Sequence, residues 1–385
     1  HTLAGDYGYM RRLLETRPLA LVIDEVHKAK GEDTATGRAV EALSERAARV
    51  VALTGTPSPN RAEGFYRVVD RIAPGVLGSL SDFSARYTYR LPEAWSSTHG
   101  HSYAPGALRA DRLGELYERL KDVLFIRTAA DDDARLELPP RQDLAPRLEL
   151  DQTQRQVIEA LIRQQRARTL TPARYEAALE GQLGQLEQIG AEGATKTAQA
   201  LGLRIEQAGI TPAIFSATFS EARPDYESPK VALLTDMITA HLDTDPDRAA
   251  VLFCEYLGGL EAARRALIKR GLAPHLIELY TGQTSPSERA RVSEALNKGP
   301  ARVLLAQTKA AETGANLQHR ADYVAHLSTP WAPDTLAQST ARVYRQGQRR
   351  PVVVVRPSAH ALEEAKNAAL TRKIITASQL TGATT

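Results

Sequence analysis

Seven short apolar runs constrain the fold of this chain more than any other feature: residues 19–23 and 50–53, then 251–254, 276–280, 303–305, 323–327 and 352–355. Runs of this length without polar alternation are what strands buried on both faces carry, and such strands belong to parallel sheets sandwiched between helices. A helical stretch from about Thr36 to Ala48 separates the first two, and helical segments lie between several of the others. The sequence therefore predicts an α/β protein with parallel sheets and flanking helices. One helix start is well marked, with Ser285 at the cap, Pro286 in the first position and Glu288 placed to complete a capping box.

Between the two series of runs, from about Asp151 to Gly209, the composition shifts to Gln, Ala, Leu, Arg and Glu, which predicts helices. Pro139-Pro140 before it and Pro224 to Pro229 after it punctuate the boundaries, and Trp95 to Gly106 is expected to be an exposed loop. With 385 residues, 43% hydrophobic and 25% charged, the chain can fill two cores. A single cysteine, Cys254, excludes an internal disulfide framework and a cysteine zinc cluster. There is no basic and apolar leader, and no apolar run approaches the roughly 18 residues of a membrane span, so a cytoplasmic protein without a membrane partner is expected. The net charge of +3 leaves a polyanion partner open and decides nothing.

Three segments carry chemistry. The first apolar run ends in Asp24-Glu25-Val26-His27, a DEAH-like box in which Asp24 would orient Mg2+ through water and Glu25 would position the water that attacks a terminal phosphate. His27 would link that site to moving parts. The second run leads into Thr54-Gly55-Thr56-Pro57, where small hydroxyls can hydrogen-bond the acidic site and the glycine allows a tight turn. Downstream, Gln338 to Gln348 includes Arg342 and Arg345, which on a helix share a face and can reach one phosphate cluster. Singly, each has a structural reading as well: a polar strand end, a Gly-Pro turn, a solvated basic face. Gly190 to Thr197 approaches a phosphate-loop pattern, but Thr195 occupies the last required glycine and no strand precedes it, so a helix-to-helix turn is expected there.

In order, these residues resemble the Swi/Snf-type branch of the superfamily-two helicase-like ATPases. Asp24 to His27 with Lys28-Ala29-Lys30 is similar to motif II and its basic continuation, and Thr54 to Asn60 to motif III. Phe125 to Thr128 and Leu138-Pro139-Pro140 resemble the exit from the first lobe, and Ser228-Pro229-Lys230 the start of the second. Val251 to Cys254 is similar to motif IV, Gly282 with Glu288-Arg289 follows, and Thr308-Lys309-Ala310 through Gly314 to Gln318 is similar to motif V. Trp331 and Pro333 before Gln338 resemble the approach to motif VI.

The resemblance implies two RecA-like lobes, ATP and Mg2+ as cofactors, and translocation on double-stranded DNA without obligatory strand separation. It implies that Arg342 and Arg345 act as fingers and that Thr54, Gly55, Thr56, Gly314 and Gln338 couple hydrolysis to movement. DNA phosphates would be met by Lys30, Thr308, Lys309 and Asn316, contacts that track a strand without reading its sequence. Ala311 and Glu312 replace glycine in motif V, and Ala341 replaces the glycine before the first arginine of motif VI. No phosphate loop precedes Asp24, so the first lobe is expected to be incomplete, with the missing part upstream or in a protein partner. The expected organisation is 1–140 for the first lobe, 141–224 for a helical interlobe insertion, 225–357 for the second lobe and 358–385 for a helical tail. A catalytically silent DNA-binding or docking subunit is the alternative, and an RNA helicase is disfavoured by the Arg345-Gln346-Gly347-Gln348 ending and the interlobe helices.

Overall fold

The computed structural model describes residues 3–29, 34–54, 62–88, 108–125, 137–166, 204, 206–210, 226–311, 315–330, 333–360, 363, 364, 366, 367 and 370. The chain divides into two compact units, one holding the described residues up to 125 and the other those from 137 onward. Among the described residues no helix is long and apolar enough to cross a membrane.

In the first unit, β1 (Ala20–Ile23) and β2 (Arg49–Ala52) pair in parallel, with Val22 opposite Val51 and Ile23 opposite Ala52. The helix Ala35–Ser44 makes the crossover, and Thr34 caps it by accepting the Gly37 N–H at 3.0 Å. Side chains alternate across a strand. Leu21 and Ile23 therefore join Val40, Leu43 and Val68 in a buried core, while Val22, Val51 and Leu53 are 61%, 47% and 49% exposed. Helices Ala62–Ile72, Leu80–Tyr87 and Leu113–Leu120 enclose a second core around Phe65, Tyr66, Phe83, Tyr87 and Leu116.

The second unit is built on a six-stranded parallel sheet of order β3-β8-β7-β4-β6-β5. Its strands are β3 (Arg141–Leu144), β4 (Ala249–Cys254), β5 (Ile277–Tyr280), β6 (Val303–Gln307), β7 (Ala321–His326) and β8 (Val352–Val355). Central β4 is buried at all six positions. Ala250, Leu252 and Cys254 face one core with helices Pro229–Asp243 and Leu257–Lys269; Ala249, Val251 and Phe253 face the other with Val292, Leu296 and Val343. Each large apolar side chain so buried contributes about 1.5–3 kcal/mol over exposure, which places the main stabilisation of this unit in its sheet.

All seven apolar runs form strands. β3 was not among them, and it corrects the start of the segment assigned to interlobe helices. Arg-Gln-Asp-Leu has no apolar pattern because the strand lies at the sheet edge with three of its four residues exposed. Register with β8 is extended on both sides, by Val352 N–H to the Pro140 carbonyl at 3.0 Å and Arg356 N–H to the Leu144 carbonyl at 2.8 Å. The helix Gln152–Arg166 follows, started by a reciprocal pair in which Gln154 N–H donates to Asp151 Oδ1 and Asp151 N–H to Gln154 Oε1. Ser285 does cap the helix Pro286–Asn297, accepting the Glu288 N–H at 3.3 Å, but the Glu288 carboxylate turns to Arg291.

Buried ion pairs tie distant segments to this unit. Lys230 meets Glu363 at 3.0 Å and Lys366 meets Glu206 at 2.9 Å, all four side chains being at most 7% exposed. Glu206 also accepts from Tyr256 Oη and from the Thr329 N–H. Burial pushes the Glu206 carboxyl up, but Lys366, Lys230 and the Thr329 N–H outweigh it, and its pKa lies below the ordinary value.

Candidate functional site

The acidic pair emerges where β1 ends. Asp24 is exposed, and its Oδ1 accepts the Glu25 N–H at 2.9 Å. Glu25 has φ of 52°, the left-handed region that residues with a Cβ avoid, and it is the one described non-glycine residue there. Holding such a residue costs about 1–3 kcal/mol and needs fixed surroundings. Those are supplied by β2: Leu53 N–H donates to the Ile23 carbonyl at 2.8 Å, and Val26 N–H donates to the Leu53 carbonyl at 3.1 Å. Half-buried Thr54 follows immediately, so these two bonds fix its distance from the acids. The turn Val26–Ala29 is anchored from below by Arg71, which donates to the Ala29 carbonyl.

No cluster of three or more His, Cys, Asp or Glu that could hold a metal occurs among the described residues. Magnesium bound chiefly by substrate phosphates and water needs only one or two carboxylates. Exposed Asp24, with one oxygen engaged by the Glu25 N–H, fits that role; the magnesium would supply charge neutralisation at the phosphates.

The arginines sit in the second unit, and the helix expected to carry both ends before them. Helix Pro333–Thr340 holds Gln338, half-buried, and gives way to successive turns: Arg342 N–H to Ser339, Val343 N–H to Thr340 and Gln348 N–H to Arg345. Val343 is drawn into the core and the Arg342 carbonyl accepts the Leu317 N–H at 3.0 Å, which breaks the helical ladder. Arg345 Nη1 donates to Asn316 Oδ1 at 2.7 Å. Gly347, at φ of 95°, closes the turn against Gln318 and His319.

Two residues that shape this turn were given no role from the sequence. Buried Gln348 donates from Nε2 to the Ala321 and Val343 carbonyls at 2.8 and 3.2 Å, and its Oε1 accepts the N–H groups of Arg349 and Arg350 at 2.9 Å each. His326, at the end of β7, places Nε2 at 3.1 Å from the hydroxyl of Thr340, the last helical residue, and stacks on Phe253 with ring centres 5.3 Å apart. Burial, reinforced by Arg356 and Arg141, pushes its pKa down to about 3, so the ring is neutral at physiological pH. Because the Thr340 hydroxyl also bonds the Leu336 carbonyl, the imidazole is the donor and Nε2 carries the hydrogen. The one signal in the sequence was a histidine inside an apolar strand.

Of the expected DNA contacts, Thr308 and Lys309 stand at the carboxyl end of β6. Lys309 is exposed, while Thr308 is buried with no hydrogen-bond partner for Oγ1 among the described residues. Beside them Gln307 accepts the Gly282 N–H at 3.0 Å and donates to the Glu255 carbonyl at 3.3 Å, lacing three strand ends together. Asn316 is grouped instead with Arg345. Lys30, Gly55, Thr56, Gly314 and the side chain of His27 lie outside the described residues, as do the 95–106 loop and the 190–197 segment.

Comparisons with known proteins agree with this layout. A family model described as SNF2-related domain matches residues 10–192, and one described as helicase conserved C-terminal domain matches residues 229–347. The chain is 26% identical to a Bacillus subtilis putative ATP-dependent helicase/translocase, YwqA, over 87% of its own length and 32% of that protein's. It is also 26% identical to the mouse DNA repair and recombination protein RAD54B, over 89% of its length and 39% of that protein's. It thus spans about a third of the length of the curated relatives it matches. A solved Sulfolobus solfataricus SWI2/SNF2 ATPase core in complex with dsDNA aligns over 98% of this chain and 72% of that one at 22% identity, with a TM-score of 0.42. With an acidic pair on a strand end, a laced arginine turn and both family models in matching order, the chain belongs to the SNF2 family of helicase-like ATPases.

Proposed function

We propose that this chain is part of an ATP-driven translocase that moves on double-stranded DNA. The observation that carries this is the division of labour between the units: a strained acidic turn on one and a rigid arginine turn on the other. Glu25 aligns the attacking water, Asp24 orients Mg2+ on the ATP phosphates, and Arg342 and Arg345 neutralise charge on the transferred phosphoryl. Thr54 and Gln338, with His27, Gly55, Thr56 and Gly314, couple hydrolysis to motion. Lys309, with Lys30 and Asn316, meets DNA phosphates, which suits a motor indifferent to sequence; Thr308, fully buried here, reaches them only if the end of β6 opens. The work is done in the cytoplasm. The organisation is a first lobe within 1–128, an interlobe insertion that follows the strand Arg141–Leu144, a second lobe formed by that strand with 225–357, and a C-terminal tail.

The exposed face of Val22, Val51 and Leu53 is where a further covering segment of the first lobe would pack. What supports this is that parallel strands are ordinarily covered on both faces, and this pair is covered on one.

ATP hydrolysis with and without duplex DNA, in the wild type and in Glu25→Gln, tests the reading. With a phosphate-loop segment joined to the chain, DNA-stimulated turnover should appear and fall about a hundredfold to ten-thousandfold in Glu25→Gln. Duplex binding without turnover, even after that addition, would favour the docking subunit. Stimulation by duplex RNA and not DNA would overturn the choice of substrate.

A further inference from the structure

Asn297, the last residue of the helix Pro286–Asn297, lies outside every motif read from the sequence. Both halves of its amide engage one loop: Nδ2 donates to the Asn316 carbonyl at 2.6 Å, and Oδ1 accepts the His319 N–H at 3.3 Å. The Asn316 side chain in turn accepts Arg345 Nη1 at 2.7 Å. A charge-assisted bond of that length is among the stronger kinds and fixes the guanidinium to whatever fixes the acceptor. Helix, loop and arginine thus form an unbroken chain of three hydrogen-bonded groups.

We propose that Asn297 is a positioning residue that sets the place of Arg345 through Asn316. It deepens the reading of Arg345 as a finger, and rests on that reading only for its kinetic consequence. Core packing does not depend on Asn297, because Val292 and Leu296 anchor the same helix at 1% and 0% exposure. The loop is likewise held from inside by Leu317, whose side chain is buried and whose N–H meets Arg342. Asn297 itself borders an open groove of about 490 Å³, shared with Arg289, Asn316 and His319. Water can therefore take over the hydrogen bonds lost on truncation, leaving the fold intact while the loop drifts. Asn316, an exposed residue, serves the arginine turn from its side-chain oxygen.

The test uses two readouts on the full chain. Labelling of Arg345 by phenylglyoxal, followed by peptide mass spectrometry, should be several-fold faster in Asn297→Ala and Asn316→Ala, intermediate in Asn297→Asp, which keeps the acceptor but loses the donor, and unchanged at Arg291, which Glu278 and Glu288 hold independently. The melting temperature should not move. Wild-type labelling of Arg345 in Asn297→Ala would overturn the proposal whether or not the protein hydrolyses ATP. In the ATP-hydrolysing form, Asn297→Ala should lower kcat by up to about a hundredfold at unchanged KM for ATP, the size expected for misplacing one catalytic group. The loss should vanish in an Arg345→Ala background; losses that add would show that Asn297 acts elsewhere. Absence of turnover in the wild type speaks against the motor reading alone, since the labelling result stands by itself.

Discussion

The two parallel sheets of this protein are built from the same kinds of residue and finished differently. β4 buries all six side chains between two cores, whereas β1 and β2 bury Leu21 and Ile23 and leave Val22 and Val51 on an open face. Apolar runs with no polar alternation are suited to burial on both faces, and among the described residues this pair is buried on one. The acidic turn inherits that difference. It depends on two backbone bonds from β2 to keep Glu25 at a positive φ, while the arginine turn is tied by Gln348, His326, Leu317 and Asn316 into a sheet already complete.

If the second unit is self-sufficient because its periphery is locked to its sheet, breaking the lock should hurt most. Lys366→Met leaves Glu206 buried beside Tyr256 with its nearest cation gone. Removing one partner of a buried pair typically costs about 3–5 kcal/mol, and denaturant unfolding of the second unit should show a loss of that size at pH 7. The pH dependence checks the cause. In the wild type the depressed Glu206 pKa adds stability that is present above the carboxylate's ordinary value and is lost as pH falls through the folded one. With Lys366 gone, the raising effect of burial is opposed only by Lys230 and the Thr329 N–H, and the stabilising depression shrinks. The gap between variant and wild type should therefore narrow as pH falls below about 4, where a neutral acid needs no cation. A gap independent of pH would mean that the cost comes from lost packing of the lysine stem.

How much of this was legible depended on whether a feature is local. Buried strands announced themselves because burial on both faces removes polar alternation, as in Ala249–Cys254, and the acids were visible because they end such a run. β3 was invisible, since an edge strand with exposed Arg141, Gln142 and Asp143 carries no period. The arginine turn was misread as helix because helix Pro333–Thr340 sets up a spacing that Arg342 and Arg345 continue; only the pull of the core on Val343 and the claim of Leu317 on the Arg342 carbonyl end it. Neutral amides were the hardest to assign. Gln348 and Asn297 bond backbone groups 19 to 27 positions away, and nothing in composition or spacing marks such partners.

His326 sharpens the comparison at intermediate size. Its ring is neutral in the fold, with pKa pushed down to about 3 from an ordinary 6.5. The unfolded chain thus binds a proton that the folded one refuses, and stability falls as pH drops from the ordinary value toward the folded one. In His326→Phe, which keeps the stack on Phe253 and leaves the Thr340 hydroxyl bonded to Leu336, that loss is removed. Between pH 6.5 and 4.5 the wild type should lose about 2 kcal/mol more than the variant. Equal slopes would place a charged imidazole in the folded protein, contrary to its burial.

The smallest effect belongs to the open face, and its smallness is the point. Val22→Thr and Val51→Thr keep the branched shape and β preference while replacing a methyl by a hydroxyl at sites 61% and 47% exposed. In this chain, thermal unfolding should register a change within about 0.5 kcal/mol, as for surface positions generally. Once a segment covering that face is supplied, the same hydroxyls become buried without a designed partner, each at about 1–3 kcal/mol, so the two variants should weaken its docking while leaving the second unit's stability untouched. Large losses in the chain alone would show that the face is already packed, and that the first sheet is finished after all.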